Sequence, residues 1–187
     1  MTDIRIEQLV RGFRAAIEVA HNRGFFSNDI CFKVFPKGCC GDTSYLLAEF
    51  LLRKGVETIW FSAQRGGWGH AWLVIKDTRV TKPTPQMFSW PENIREVVAK
   101  YGVEHPEQVI DVTRYGFDNL RNGLIVDITG DQFEDYNASV YVGYSDSFHQ
   151  SFDFVQAHDY NGLNDRRLCF LYQVIMKNMD EEIKGDN

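Results

Sequence analysis

Three short segments rich in β-branched and aromatic residues, 57–63, 70–75 and 124–128, constrain the fold of this chain most strongly. Each has the length and composition of a β-strand. A fourth segment, 139–144, has the same character. We therefore expect a β-sheet with helices packed against it.

Helical periodicity flanks the strand segments. Apolar residues form one stripe along residues 3–22 and a second along residues 42–53, and each stripe ends shortly before a glycine. Residues 168–175 fit a closing helix, with a strand as the alternative because their apolar residues also alternate weakly. With no internal repeat in 187 residues, the pattern predicts one α+β domain spanning 1–187.

A proline-containing stretch at about 78–122 separates two of the strand segments. Within it, residues 92–101 and 106–115 have the character of short helices. We interpret the stretch as a helical insertion that forms a lid. Farther along, residues 145–160 are expected to form an aromatic, histidine-containing loop.

The charge balance disfavours nucleic acid as a partner. Twenty basic residues face twenty-six acidic ones, the net charge is -6, and the basic residues are scattered. No run approaches the roughly 20 apolar residues of a membrane helix, and the first residues are charged. We expect a cytoplasmic protein that binds neither nucleic acid nor membrane.

The four cysteines, at positions 31, 39, 40 and 169, are expected to be reduced thiols. Cys39 and Cys40 are adjacent, whereas structural zinc usually binds thiols spaced two to four residues apart. We therefore expect no metal site and no cofactor. Reactivity of one thiol is the better hypothesis.

Cys40 lies at the start of the second predicted helix and is followed by Gly41. Its sulfur would face unsatisfied N–H groups and the positive end of the helix dipole, which favours the thiolate. The same N–H groups can hold the oxyanion that develops when a thiolate attacks a carbonyl. The alternative is that Cys39 and Cys40 are small buried apolar residues.

His70 and Asp127 are candidate partners of this thiol. His70 opens a strong strand after a glycine-rich loop, so its ring can point into a cleft. Asp127 lies inside an apolar run, where a carboxylate needs a partner such as an imidazole N–H. The alternatives are a structural histidine and an aspartate that caps the turn at Gly130.

Three motifs in this part of the chain resemble those of transglutaminase-like, papain-like cysteine hydrolases. Residues 38–42 resemble the Gly-x-Cys-x-Asp nucleophile motif, and residues 70–72 resemble the His-Ala-Trp motif. Residues 127–129 resemble the Asp-Pro-Thr motif, with Ile128 in place of proline. All three stand in the family's order, and the resemblance covers residues 38–130.

The resemblance implies an α+β core in which a helix carrying the nucleophile packs on an antiparallel β-sheet. It also implies a catalytic triad of Cys40 as nucleophile, His70 as base and Asp127 as orienting acid. Asp42 is then the acidic neighbour in the nucleophile motif and not a triad member. The predicted insertion accounts for the long separation between His70 and Asp127.

Two further residues are candidates for substrate binding. Gln132 follows Asp127 closely and can donate to an oxyanion or a substrate amide, although a solvated loop position is commoner for glutamine. Trp68 can wall the cleft or simply pack. For His149 and His158, surface or structural roles are favoured.

Together these features predict a cysteine-dependent acyl-transfer enzyme, with peptidase or amidase as the leading form and a protein or peptide as substrate. Deamidase, transglutaminase and N-acyltransferase reactions use the same triad and stay open. The competing class is a non-enzymatic binding protein that uses the aromatic loop at 145–160 for recognition. A toxin or effector acting on another protein is a third interpretation.

Overall fold

A computed structural model describes residues 3–76, 123–144 and 146–185. Over these residues the chain is a mixed α+β structure with one five-stranded sheet, and every strand pairing in it is antiparallel. The elements in chain order are α1 (Asp3–Asn22), α2 (Cys40–Arg53), β1 (Thr58–Arg65), β2 (Trp68–Ile75), β3 (Ile125–Asp127), β4 (Tyr141–Gly143), α3 (Ser147–Gln150), β5 (Asp153–Asp159) and α4 (Arg166–Gly185).

The strands lie side by side in the order β4-β3-β2-β1-β5, so β2 is at the centre of the sheet. The hairpin between β1 and β2 turns at Gly66 and Gly67, whose φ angles of 56° and 87° lie in the left-handed region that glycine adopts without strain. The predicted insertion at 78–122, with its short helices at 92–101 and 106–115, lies outside the described residues.

Most sequence expectations for the remaining elements are confirmed. The helix predicted over 3–22 is α1, the second predicted helix ends at Arg53, and the four strand segments all form strands. The closing segment is the helix α4, so the strand alternative is wrong.

The expectation of a loop over 145–160 is also wrong, because the segment contains α3 and β5. The side chain of Asp146 caps α3 by accepting a hydrogen bond from the backbone N–H of His149. β5 pairs along β1 from Ile59 to Gln64, with a register shift after Ser62. That pairing joins residues far apart in sequence, so local patterning could not reveal it.

The two faces of the sheet have different partners. Helices α1, α2 and α4 cover one face, where the rings of Phe13 and Phe50 stack with centroids 4.9 Å apart. The opposite face carries a second apolar cluster that includes Trp72, Phe148 and Phe152. We call these the helical face and the aromatic face. Because side chains alternate along β2, Leu73 lies on the helical face and Trp72 on the aromatic face.

Among the residues that the structure describes, no helix combines the length and the apolar composition that crossing a bilayer requires.

We predict that Phe13→Ala lowers the free energy of unfolding by about 3–5 kcal/mol, because it leaves a cavity beside Phe50 on the helical face. Phe13 is fully buried, whereas Phe170 is 59% exposed on α4. Phe170→Ala is therefore the matched control, with an expected change within about 0.5 kcal/mol. Urea unfolding followed by circular dichroism measures both, and similar losses in the two variants would contradict the burial assigned to Phe13.

Candidate active site

Cys40 is the first residue of α2. Gly38, two residues before Cys40, has a φ of 69°, a left-handed conformation that an L side chain rarely adopts. The helix hydrogen bonds begin with the N–H of Thr43 donating to the carbonyl of Cys39 at 2.8 Å. The N–H groups of the first turn therefore lack helical acceptors, and the positive end of the helix dipole lies at the residue that bears the partly exposed thiol.

The pKa values of the two adjacent thiols are shifted in opposite directions. Burial raises the pKa of Cys40, but hydrogen bonds from His70, from the backbone N–H of Ala71 and from Gln132, with the charge of His70, outweigh burial and lower it overall. Burial raises the pKa of Cys39 to about 12. Cys40 is thus the thiol that ionises more readily, and Cys39 is an inert neighbour.

His70 and Asp127 are in direct contact. Nε2 of His70 donates to Oδ2 of Asp127 at 2.7 Å, and both side chains are almost completely buried. Burial lowers the pKa of His70, but the charge and hydrogen bond of Asp127 outweigh it and raise the pKa to about 9. Burial acts to raise the pKa of Asp127, yet the charge of His70 and hydrogen bonds from His70 and His149 hold it far below its usual range.

The two carboxylate oxygens of Asp127 have separate tasks. Oδ1 accepts the backbone N–H of Thr129 at 2.9 Å, which stabilises the turn toward Gly130, and Oδ2 accepts from His70. The capping role and the imidazole-binding role, which the sequence presents as alternatives, are therefore both present.

Gln132 lies at the site and not in solvent. It ends a short 3₁₀ helix, Gly130–Gln132, from which its Nε2 lies 3.0 Å from Nδ1 of His70. Its Oε1 accepts the backbone N–H of Gly38 at 3.3 Å. The side chain thus connects the loop before Cys40 to the histidine ring and offers an amide donor to the sulfur.

Arg14 on α1 holds the turn that carries Gln132. Its guanidinium makes two hydrogen bonds to Asp131, at 2.8 and 3.0 Å, and also donates to the carbonyl of Ile128. The Arg14 side chain is 6% exposed. Neither Arg14 nor this link was recognisable from the sequence, because the partners are more than a hundred positions apart.

Trp68 is the first residue of β2 and is 73% exposed. It stands two positions before His70, so strand alternation places the two residues on the same side of β2. This exposed position next to the buried ring is compatible with contact to a substrate, and its role as a substrate-binding residue stays a prediction.

His149 is a site residue that the sequence analysis did not select. It is 5% exposed, and its Nε2 lies 3.3 Å from Oδ2 of Asp127. Aspartate is a preferred N-cap residue, so Asp146 could have indicated the start of a helix here. His158 lies elsewhere, on β5, with its Nε2 2.6 Å from the hydroxyl of Tyr45.

All four cysteines are free thiols. Within residues 3–76, 123–144 and 146–185, no group of three or more His, Cys, Asp or Glu side chains is arranged to bind a metal ion.

Comparison of the chain with protein-family models, with curated proteins and with solved structures gave no match. The function of this protein must therefore be inferred from the geometry of the site and from the three motifs.

We predict that Asp127→Asn removes a pH-dependent part of the stability. The folded-state pKa of Asp127 lies below its unfolded value of about 3.9, so the stabilisation is present above that pH and is lost as the pH falls through it toward the folded pKa. The difference between wild type and variant in unfolding free energy should shrink by up to about 1.4 kcal/mol per pH unit below pH 4. Urea unfolding from pH 3 to pH 7 measures it, and a difference that is constant with pH would contradict the ion pair.

Proposed function

We propose that this protein is a cysteine-dependent acyl-transfer enzyme with a transglutaminase-like core, and that peptidase or amidase is its leading activity. One observation carries the proposal: the buried ring of His70 contacts Asp127 through Nε2 and Gln132 through Nδ1, and its interaction with Cys40 lowers the pKa of that thiol. Nucleophilic acyl transfer needs a thiol with a lowered pKa, a base beside it and a carboxylate that orients the base.

In the first step, Sγ of Cys40 attacks the carbonyl carbon of the substrate as a thiolate, while the proton that the thiol gave up stays on Nδ1 of His70, whose raised pKa favours the imidazolium. Asp127 stabilises the imidazolium that forms, because its carboxylate already accepts the proton on Nε2. With a proton on Nδ1 there is no lone pair for Gln132 to donate to, so its amide hydrogens are available to the sulfur and to the developing oxyanion. The backbone N–H of Cys40 is the second donor to that oxyanion.

In the second step, the tetrahedral intermediate collapses and the C–N bond breaks. His70 gives its proton to the leaving amine, and the acyl group stays on Cys40 as a thioester. Water or an amine then attacks the thioester while His70 takes its proton, and the free thiol returns. Hydrolysis, deamidation and transfer differ only in the leaving group and in this second nucleophile.

A protein or peptide is the proposed substrate. Cys40 is partly exposed whereas His70 and Asp127 are buried, so the carbonyl reaches the sulfur from the surface while the base is shielded from water. An exposed aromatic residue, Trp68, lies two positions before His70 on β2 and suits an extended chain with apolar side chains.

We predict rapid alkylation of Cys40 by iodoacetamide below pH 8.5, the ordinary pKa of a thiol being roughly 8.5. The reason is that His70 stabilises the thiolate of Cys40. His70→Ala should shift the rate profile of Cys40 to higher pH. Mass spectrometry with fragmentation measures the rate at each cysteine.

Cys39 is the internal control, because its pKa of about 12 keeps it a neutral thiol across the same pH range. Equal slow labelling of Cys39 and Cys40 in the wild type would contradict the proposal. That result would favour a non-enzymatic binding protein on the same fold.

We predict that Gln132→Leu slows acylation of Cys40 by an acyl-amide probe by about 10²–10³-fold, because one donor to the oxyanion is lost. Gln150→Leu, at an exposed position of α3, is the matched control and should react like the wild type. Equal rates for the Gln132 variant and the wild type would remove Gln132 from the mechanism.

A further inference from the structure

The ring of His149 lies between two carboxylates. Its Nε2 is 3.3 Å from Oδ2 of Asp127, the same oxygen that accepts from His70. Its Nδ1 is 2.7 Å from Oδ1 of Asp146. Asp127 is therefore held by a histidine on each side, and only His70 reaches Cys40 in the proposed mechanism.

The hydrogen-bond chemistry of this arrangement fixes the role of Nε2. An ionised carboxylate only accepts hydrogen bonds, so a lone pair on Nε2 facing Asp127 would be repelled. Asp127 is buried and its pKa is held far below its usual range, so it is ionised. Nε2 of His149 must then carry a proton and donate it to Asp127.

The ring of His149 has little freedom to turn away. The ring of Trp72 packs edge to face against it at 5.1 Å, and Tyr141 lies 5.0 Å away. Asp146, which accepts from its Nδ1, also accepts the hydroxyl of Tyr136 at 3.0 Å and caps α3. Asp146 thus holds the His149 ring at Nδ1 while Nε2 faces Asp127, and Asp146 is itself held by two other hydrogen bonds.

We propose that His149 is a positioning residue of the active site, which donates from Nε2 to Asp127 and so holds that carboxylate in the orientation that His70 requires. The inference rests on the proposed function. Oδ1 of Asp127 is held by the N–H of Thr129, and Oδ2 is shared by His70 and His149. Without the donor on His149, His70 is left as the one histidine, among those that the structure describes, that fixes the direction of Oδ2. A misdirected Asp127 no longer fixes the tautomer of His70 or stabilises its imidazolium.

The test compares His149→Gln with His149→Met, which are similar in size but differ in the amide donor. The rate of Cys40 alkylation by iodoacetamide at pH 6.5 should fall roughly tenfold or more in the Met variant, the order expected for loss of a hydrogen bond to a charged group. The Gln variant should stay within about threefold of the wild type. His158→Gln, on the helical side of β5, is the matched control and should behave as the wild type.

Equal rates of Cys40 alkylation in the Gln and Met variants overturn the inference, whether both rates match the wild type or both are slow. A residue at position 149 that only fills space would give the same rate with either side chain. Should the Met variant fail to fold, side-chain ¹⁵N spectra of the wild type decide the question. The proposal requires a proton on Nε2 of His149, and an unprotonated Nε2 overturns it.

The two proposals fail in different ways. If Cys40 of the wild type reacts no faster than an ordinary thiol, the proposed function is wrong. If Cys40 reacts rapidly in the wild type and equally rapidly in the Met variant of His149, only the positioning role is wrong.

Discussion

The buried carboxylate of Asp127 is the constraint on which the rest of the site depends. It is 1% exposed, and an isolated charge at such a depth would carry a large desolvation cost. Thr129, His70 and His149 supply the donors that offset this cost. Because these donors come from a turn, a strand and a short helix, the charge of one residue fixes the mutual positions of three separate segments.

The sheet lets residues from its two faces meet. Helix α2 packs on the helical face and carries Cys40 at its first turn, whereas His70 and Asp127 point into the aromatic face. Helix α2 contacts the central strand at Ala71 of β2, whose carbonyl accepts from Ser44 and whose N–H acts to lower the pKa of Cys40. The nucleophile thus stands against the central strand, while the base and the acid lie in a buried aromatic layer that strengthens their interaction.

Much of the fold and part of the site could be predicted from the sequence. The stripes that became α1 and α2 were readable because amphipathic periodicity is local, and Cys40 was readable because glycines surround it at a helix start. Gln132 was identified as a candidate without its contact to His70, since a 3₁₀ turn held by Arg14 leaves no local signal. The segment 145–160 was misread because its strand is defined by pairing with β1, and aromatic residues fit loops and strands equally well.

The sequence by itself determined the types of chemical group and their order along the chain: a thiol before a helix, an imidazole at a strand start and a carboxylate in an apolar run. Those features follow from periodicity and from the cost of burying charge, which act over a few neighbouring residues. Only the tertiary structure decided that His149 stands behind Asp127 and that Gln132 lies against His70. Hydrogen bonds and burial of that kind depend on which distant segments the packed sheet brings within about 3 Å of each other, and no local pattern encodes that distance.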